Sequence, residues 1–158
     1  SGLPFDDPSG DRLRAWLGLD RATFYDEARI AFLPMGLCFP GHDAKGGDLP
    51  PRPECAPRWR ASLLAALPAI EVALLIGLYA QRWHLPRELT REGLTVTVAR
   101  WREIMADRVP ATPLFIPLPH PSWRNSGWLK RHRWFEAELV PELQDVVART
   151  LNQRRDMP

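Results

Sequence analysis

The residues with the most chemical potential lie together in the tetrapeptide His120-Pro121-Ser122-Trp123. An apolar, β-prone stretch, Pro113 to Leu118, runs into it, and a basic, aromatic stretch, Arg124 to Trp134, leaves it. A loop of this kind leaving a strand can set an imidazole and a hydroxyl at the mouth of an α/β site. The basic and aromatic neighbours suit a phosphate backbone and the faces of bases. Each residue also has a plainer use. His120 can bond to backbone, Ser122 can cap a turn, and Trp123 can pack. Lys130, Arg131 and Arg133 can form a solvated helix face.

The second chemical set is Cys38 and Cys55, the two cysteines of the chain. They cannot build a disulfide framework. Two thiolates also cannot complete a tetrahedral zinc site or a four-iron cluster. His42 adds a nitrogen donor nearby in sequence, which keeps zinc open. Pro50-Pro51-Arg52-Pro53 between the cysteines reads as an SH3-type ligand or as a stiff wrap.

The rest of the chain must position these groups. Its 158 residues suffice for one domain, 1–158, with a real core, and 45% hydrophobic residues is ordinary for a globular protein. The net charge of +2 permits nucleic-acid binding without demanding it. The cations are nearly all arginine, Lys45 and Lys130 being the only lysines. Arginine suits bidentate phosphate contacts, although a genome-wide composition bias gives the same pattern. The longest apolar run, Ala69 to Gly77 with Glu71 inside it, is too short to cross a bilayer. With no secretory signal pattern at the start, cytoplasm is the expected location.

Hydrophobic spacing then gives the elements. Pro8-Ser9-Gly10-Asp11 opens a short helix with Leu13, Trp16 and Leu17 on one face. Ala28 to Met35 reads as a buried strand. Phe39 to Pro57 is a long Gly- and Pro-rich loop, and such loops are usually functional or disordered. Arg58 to Leu67 is a helix, and Ile70 to Gly77 a strand with the continuous apolar run of a parallel sheet. Helices follow at Leu78 to His84 and Leu94 to Met105, then a third strand at Thr112 to Leu118. A C-terminal helix runs from Leu129 to Asn152, with Pro141 as a kink or a break. Strands alternating with helices predict a parallel α/β layer. Ligands then bind beyond the carboxyl ends of the strands, where Met35-Gly36, Gly77 and Pro119-His120 fall.

Three segments in order resemble one superfamily. Gly2-Leu3-Pro4-Phe5 with Ser9-Gly10 and Leu13 is similar to a stretch of the iron–sulfur uracil-DNA glycosylases. Cys38-Phe39-Pro40-Gly41 with Cys55 resembles the second pair of cluster cysteines in that group. Leu74 to Ala80, then His120-Pro121-Ser122, resembles its strand-to-helix element and its second catalytic motif. Pro34 to Cys38 and Gly46 to Pro57 look closest to a bacterial branch. The resemblance spans roughly Gly2 to Leu143.

It implies a three-layer α/β sandwich around a central, mainly parallel four-stranded sheet. It implies a monomer that flips a damaged base out of DNA and hydrolyses its bond to the sugar, with no membrane role. His120 would stabilise the leaving base, Phe5 would stack on it, and Ser122 would grip a phosphate. Trp123 and Arg124 would enter the gap left by the base, and Asn125 would track phosphate. The carboxylate that stabilises positive charge at the sugar or activates water belongs, in the family, to a motif ahead of Gly2. Asp6 and Asp7 are candidate substitutes for it; as plain residues they are solvated turn aspartates, the better reading, and Phe5 a core phenylalanine. Cys38 and Cys55 would hold half of a structural four-iron cluster. The family's Gly-x-x-Pro-Gly loop and its N-terminal Cys-x-x-Cys should precede Gly2, so a segment ahead of Ser1 is expected, carrying the first strand. Pro34 stands where the family often has an asparagine that reads uracil; proline has no side-chain donor. Two other readings stand beside this one. One is a DNA-binding member that has lost excision, the other a structural protein completed by a partner chain.

Overall fold

The computed structural model describes residues 2–44, 46–47, 49–110 and 112–153. In chain order the elements are α1 (Pro8–Leu17), α2 (Arg21–Phe24), α3 (Cys55–Ala65), β1 (Val72–Ile76), α4 (Leu78–His84), α5 (Arg87–Thr90), α6 (Leu94–Ala99), α7 (Trp101–Ala106) and β2 (Leu114–Leu118). A 3-10 turn at Trp123–Asn125, α8 (Ser126–Arg131), a π-helical turn at Phe135–Leu139 and α9 (Val140–Gln153) complete the chain. Two compact units result: residues 1–31 with 71–158, and residues 32–70.

The larger unit is built on a small parallel sheet. β1 and β2 pair in parallel, Val72 opposite Leu114 and Ile76 opposite Leu118. This bears out the two later predicted strands and the α/β class, but the sheet has two strands among the described residues rather than four. Pro117 supplies a reason on one edge. The Leu114 N–H donates to Glu71 O at 2.8 Å, toward β1. N–H groups alternate sides along a strand, so position 117 faces the open edge, where proline offers no donor.

The predicted strand at Ala28 to Met35 is not formed. Asp26 captures its start: the backbone N–H groups of Arg29 and Ile30 both donate to Asp26 O at 2.9 Å, and the Ala28 N–H donates to the Asp26 side chain. Further on, Pro34 lacks an N–H, and its carbonyl is already bonded to a side chain. Met35-Gly36 is therefore not a strand end.

The core of this unit includes the predicted face of α1. Leu13, Trp16 and Leu17 are buried from α1, with Leu75, Ile116 and Leu118 from the strands. Phe135, Leu139, Leu143 and Val146 are buried along the C-terminal run. Trp16 meets Phe135 edge-on, ring centroids 4.8 Å apart. The single C-terminal helix expected from Leu129 is instead α8, a π-helical turn and α9. Pro141 sits at the second position of α9, directly after the π turn. An α-helix there would drive the proline ring into the carbonyl four residues back; a widened turn relieves that clash. The predicted Leu94 to Met105 helix likewise divides at Arg100, where ψ is +16°.

In the smaller unit α3 begins at Cys55, three residues ahead of the predicted start. Its Arg60 is buried and donates from Nη1 to Leu33 O and Pro34 O, both at 3.2 Å. Burial lowers the pKa of this guanidinium from its ordinary value. Two carbonyls therefore share the charge of Arg60 in place of solvent.

Candidate active site

The carboxyl ends of β1 and β2 carry the candidate site. Gly77 leaves β1 with φ of +82°, a region that favours glycine, and its N–H donates to Leu118 O at 2.9 Å. Fully buried Gln81, on α4, donates from Nε2 to Leu75 O at 3.1 Å and to Leu118 O at 3.0 Å. One amide thus ties the two strand ends together beneath the loop that follows β2.

In that loop Pro119 and Pro121 are buried while His120 is exposed. The Ser122 N–H donates to His120 Nδ1 at 3.2 Å. Asn125 Nδ2 donates to His120 O at 2.7 Å. Ser122 caps the 3-10 turn, its Oγ accepting from the Arg124 N–H at 3.3 Å. Arg12 reaches over from α1: Nη1 donates to Pro121 O and to Ser122 O, both at 3.0 Å, and Nη2 to Ser126 Oγ at 3.2 Å.

The N-terminal segment brings Phe5 to the same place. Its ring centroid lies 6.2 Å from that of His120, the planes tilted by 33°. Phe5 has φ of +57°, the one non-glycine in the left-handed region among the described residues. Such a conformation costs about 1 kcal/mol or more and persists only when its surroundings hold it. Two features do so. The Tyr25 hydroxyl donates to Pro4 O and Phe5 O, each at 3.0 Å. Gly10 lies so close that a Cβ there would fall 1.7 Å from Phe5 O.

Asp6 and Asp7 have bonds of their own. Asp7 is the N-cap of α1, its Oδ1 accepting from the Gly10 N–H at 3.0 Å. Asp6 pairs with Arg21 at 2.7 Å, which raises the Arg21 pKa through the hydrogen bond and the charge. On the other side of the loop Trp123 is 72% exposed, with Arg124 stacked on it at 5.6 Å. Lys130, Arg131 and Arg133 are exposed, as a solvated cationic face requires.

The structure therefore bonds His120, Ser122 and Asn125 together in the larger unit and sets the Phe5 ring beside His120, with Trp123 and Arg124 at the exposed tip. Arg12, Tyr25 and Gln81 belong to this site as well, and the sequence reading passed over all three. Arg12 had a faint signal, standing two residues beyond the Gly10 that lets Phe5 approach. Tyr25 and Gln81 had none.

In the smaller unit Cys38 is exposed and Cys55 is buried at the start of α3. The His42 ring packs edge-on against Phe39 at 4.9 Å. Among the described residues no group of three or more His, Cys, Asp or Glu side chains could hold a metal ion. The described residues of 32–70 thus supply two cysteine side chains and do not by themselves complete the ligands of a cluster or a zinc ion.

The sequence of residues 1–144 matches the family model of the Uracil DNA glycosylase superfamily. The chain belongs to that superfamily. The match spans both units and includes each candidate site residue named above. Superfamily members are in general hydrolytic glycosylases that act on DNA, so an exposed histidine at a strand end beside an aromatic ring stands in a family with that chemistry. Among the described residues no helix is long and apolar enough to cross a membrane.

Proposed function

We propose that this superfamily member is a DNA glycosylase. It takes uracil, or another deaminated or damaged base, out of the stack and hydrolyses the bond to the sugar. The observation that carries this is the pairing of Phe5 with His120, ring centroids 6.2 Å apart, together with the bond that His120 Nδ1 accepts. A neutral imidazole whose Nδ1 accepts carries its proton on Nε2. Nε2–H is then the donor for a base oxygen. That oxygen gains negative charge as the C–N bond opens, so the donor is worth most in the transition state.

The other residues take supporting parts. Phe5 stacks on the flipped base, which gives affinity without base identity. Ser122 Oγ accepts from backbone and keeps its own O–H to donate to a phosphate oxygen. Trp123 and Arg124 enter the gap in the stack, as minor-groove wedges do. Asn125 holds the His120 carbonyl, which favours a place in the loop over a phosphate contact. The bonds of Asp6 and Asp7 likewise favour structural work over water activation.

The iron–sulfur branch is part of this reading. Cys38 and Cys55 would supply two ligands of a structural four-iron cluster, and two more thiolates would have to come from residues outside this sequence. The protein would act as a cytoplasmic monomer on DNA. A second reading, a DNA-binding member without excision, is favoured by Pro34, whose carbonyl is taken by Arg60 and which has no N–H.

Excision from uracil-containing oligonucleotides, followed with the full gene product, separates the two. His120→Ala should slow excision by about a hundredfold or more. DNA affinity should change little, because phosphate contacts dominate it. Excision at the wild-type rate by the variant removes His120 from the chemistry. No excision of any base by the wild type favours the second reading.

A further inference from the structure

Arg12 is not among the residues the glycosylase reading uses, yet it makes more bonds to the His120 loop than any other side chain described above. Its guanidinium donates to Pro121 O, Ser122 O and Ser126 Oγ across more than a hundred residues of chain. The first of these matters most. Pro121 O and the Ser122 N–H belong to one peptide unit. There are no cis peptide bonds among the described residues, and in a planar trans unit the C=O and N–H point in opposite directions. Arg12 pulls on the oxygen at one end of this unit. The N–H at its other end donates to His120 Nδ1 at 3.2 Å.

We propose that Arg12 is a positioning residue that fixes the tautomer of His120 through this single peptide plane. The guanidinium is a planar fork with fixed donor directions, so two carbonyls and a hydroxyl bound at once leave the plane little freedom to rotate. Its charge polarises the Pro121 carbonyl, which strengthens the donor at the opposite end of the same unit. With Nδ1 held as an acceptor, the proton stays on Nε2. Without Arg12 the plane can turn, Nδ1 can take the proton, and Nε2 becomes an acceptor that repels a base oxygen. Asn125 fixes the His120 carbonyl, so the His120–Pro121 peptide stays in place while the next plane turns and the ring loses its tautomer.

This inference rests on the glycosylase reading for its catalytic consequence but not for its geometry, and the test separates the two. The full gene product is labelled with 15N-histidine, and the His120 ring nitrogens are assigned by NMR at a pH where the ring is neutral. Wild type should show an Nε2–H ring. Arg12→Met, which keeps the apolar stem and removes every donor, should show a substantial Nδ1–H population. The same variant should lose about tenfold or more in kcat on a uracil oligonucleotide, as misplaced catalytic groups do, with KM and the salt dependence of DNA binding unchanged. Added guanidinium should restore the Nε2–H signature and part of kcat.

An Nδ1–H ring in the wild type overturns the proposal, and that measurement needs no variant to fold. An unchanged Nε2–H ring in Arg12→Met also overturns it. Unchanged tautomer with weaker binding and a shallower salt slope would make Arg12 a phosphate contact instead. If the wild type excises no base, the glycosylase reading fails, and the tautomer measurement still decides the role of Arg12.

Discussion

Two loops of this chain carry its candidate chemistry, and they are held in opposite ways. The loop from His120 to Ser126 is short and fixed from a distance. Arg12 binds it from α1, and Gln81 locks the strand ends that launch it. The loop from Phe39 to Glu54 is long, and the bonds described within it are local. The Asp43 N–H donates to Gly47 O, and the Leu49 N–H donates to Gly41 O at 2.9 Å. Long-range side-chain bonds set a geometry that the chain can keep alone. Local turns shape a hairpin, and the long-range bonds described next to it, from Arg60 to Leu33 O and Pro34 O, lie ahead of Cys38. The first loop is held by distant side chains of this chain, whereas for the second we propose a cluster on Cys38 and Cys55.

The largest test of this contrast is metal. In the full gene product, if two further cysteines complete the set, anaerobic purification should give brown protein with roughly four irons per chain. Cys38→Ser and Cys55→Ser should each abolish the colour. Limited proteolysis should then cut within residues 39–54 at once, while residues 113–135 stay resistant. Colourless, iron-free protein after anaerobic reconstitution removes the cluster from the proposal. Equal protection of both loops in iron-free protein removes the contrast itself.

A second test breaks the first loop's partner, the Phe5 turn. A Cβ at position 10 would meet Phe5 O at 1.7 Å, a backbone atom that Tyr25 also holds. Neither side can yield without moving the ring. Gly10→Ala should therefore cost about 1–3 kcal/mol of stability, the usual scale for overpacking. Excision should fall by about tenfold or more, because the ring leaves its place beside His120. A variant with wild-type Tm and rate would show that the position of Phe5 is immaterial.

How much of this was legible in the sequence follows the same division. β1, β2, α4 and the buried face of α1 could be read because their signals are local: a continuous apolar run, a cap, a period of 3.6. His120 and Ser122 stood out by residue type and place, and the resemblance added Phe5 and the roles proposed for all three. The expected strand at Ala28 to Met35 failed because an aspartate and an arginine took up backbone groups that a ladder needs, and apolar content does not reveal such capture. Tyr25 was illegible, and Arg12 nearly so, for a related reason. Each acts by binding backbone atoms, and a carbonyl carries no sequence label. The Arg12 contacts lie 109 to 114 residues away, beyond the reach of any local pattern.

The smallest expected effect concerns which base is removed. Arg60 and Pro34 show the smaller unit spending a polar group. The position that the resemblance assigns to a uracil-reading asparagine holds a proline with no N–H, and its carbonyl accepts from Arg60 Nη1 at 3.2 Å. A site that hydrogen-bonds its substrate rejects analogues strongly, because wrong ligands leave buried polar groups unpaired. A proline whose oxygen already accepts one bond and which has no N–H cannot supply a donor and acceptor pair, so it imposes no such penalty. The expected result is weak discrimination. In a panel of oligonucleotides that each carry one modified base, uracil, hypoxanthine and xanthine should be excised by the full gene product at rates within about tenfold of one another. A site with a complete donor and acceptor pair would instead separate them by about ten-thousandfold. Uracil removed far faster than every other base would show that groups other than residue 34 read its edge. The argument from Pro34 would then fail, and membership of the superfamily would stand untouched.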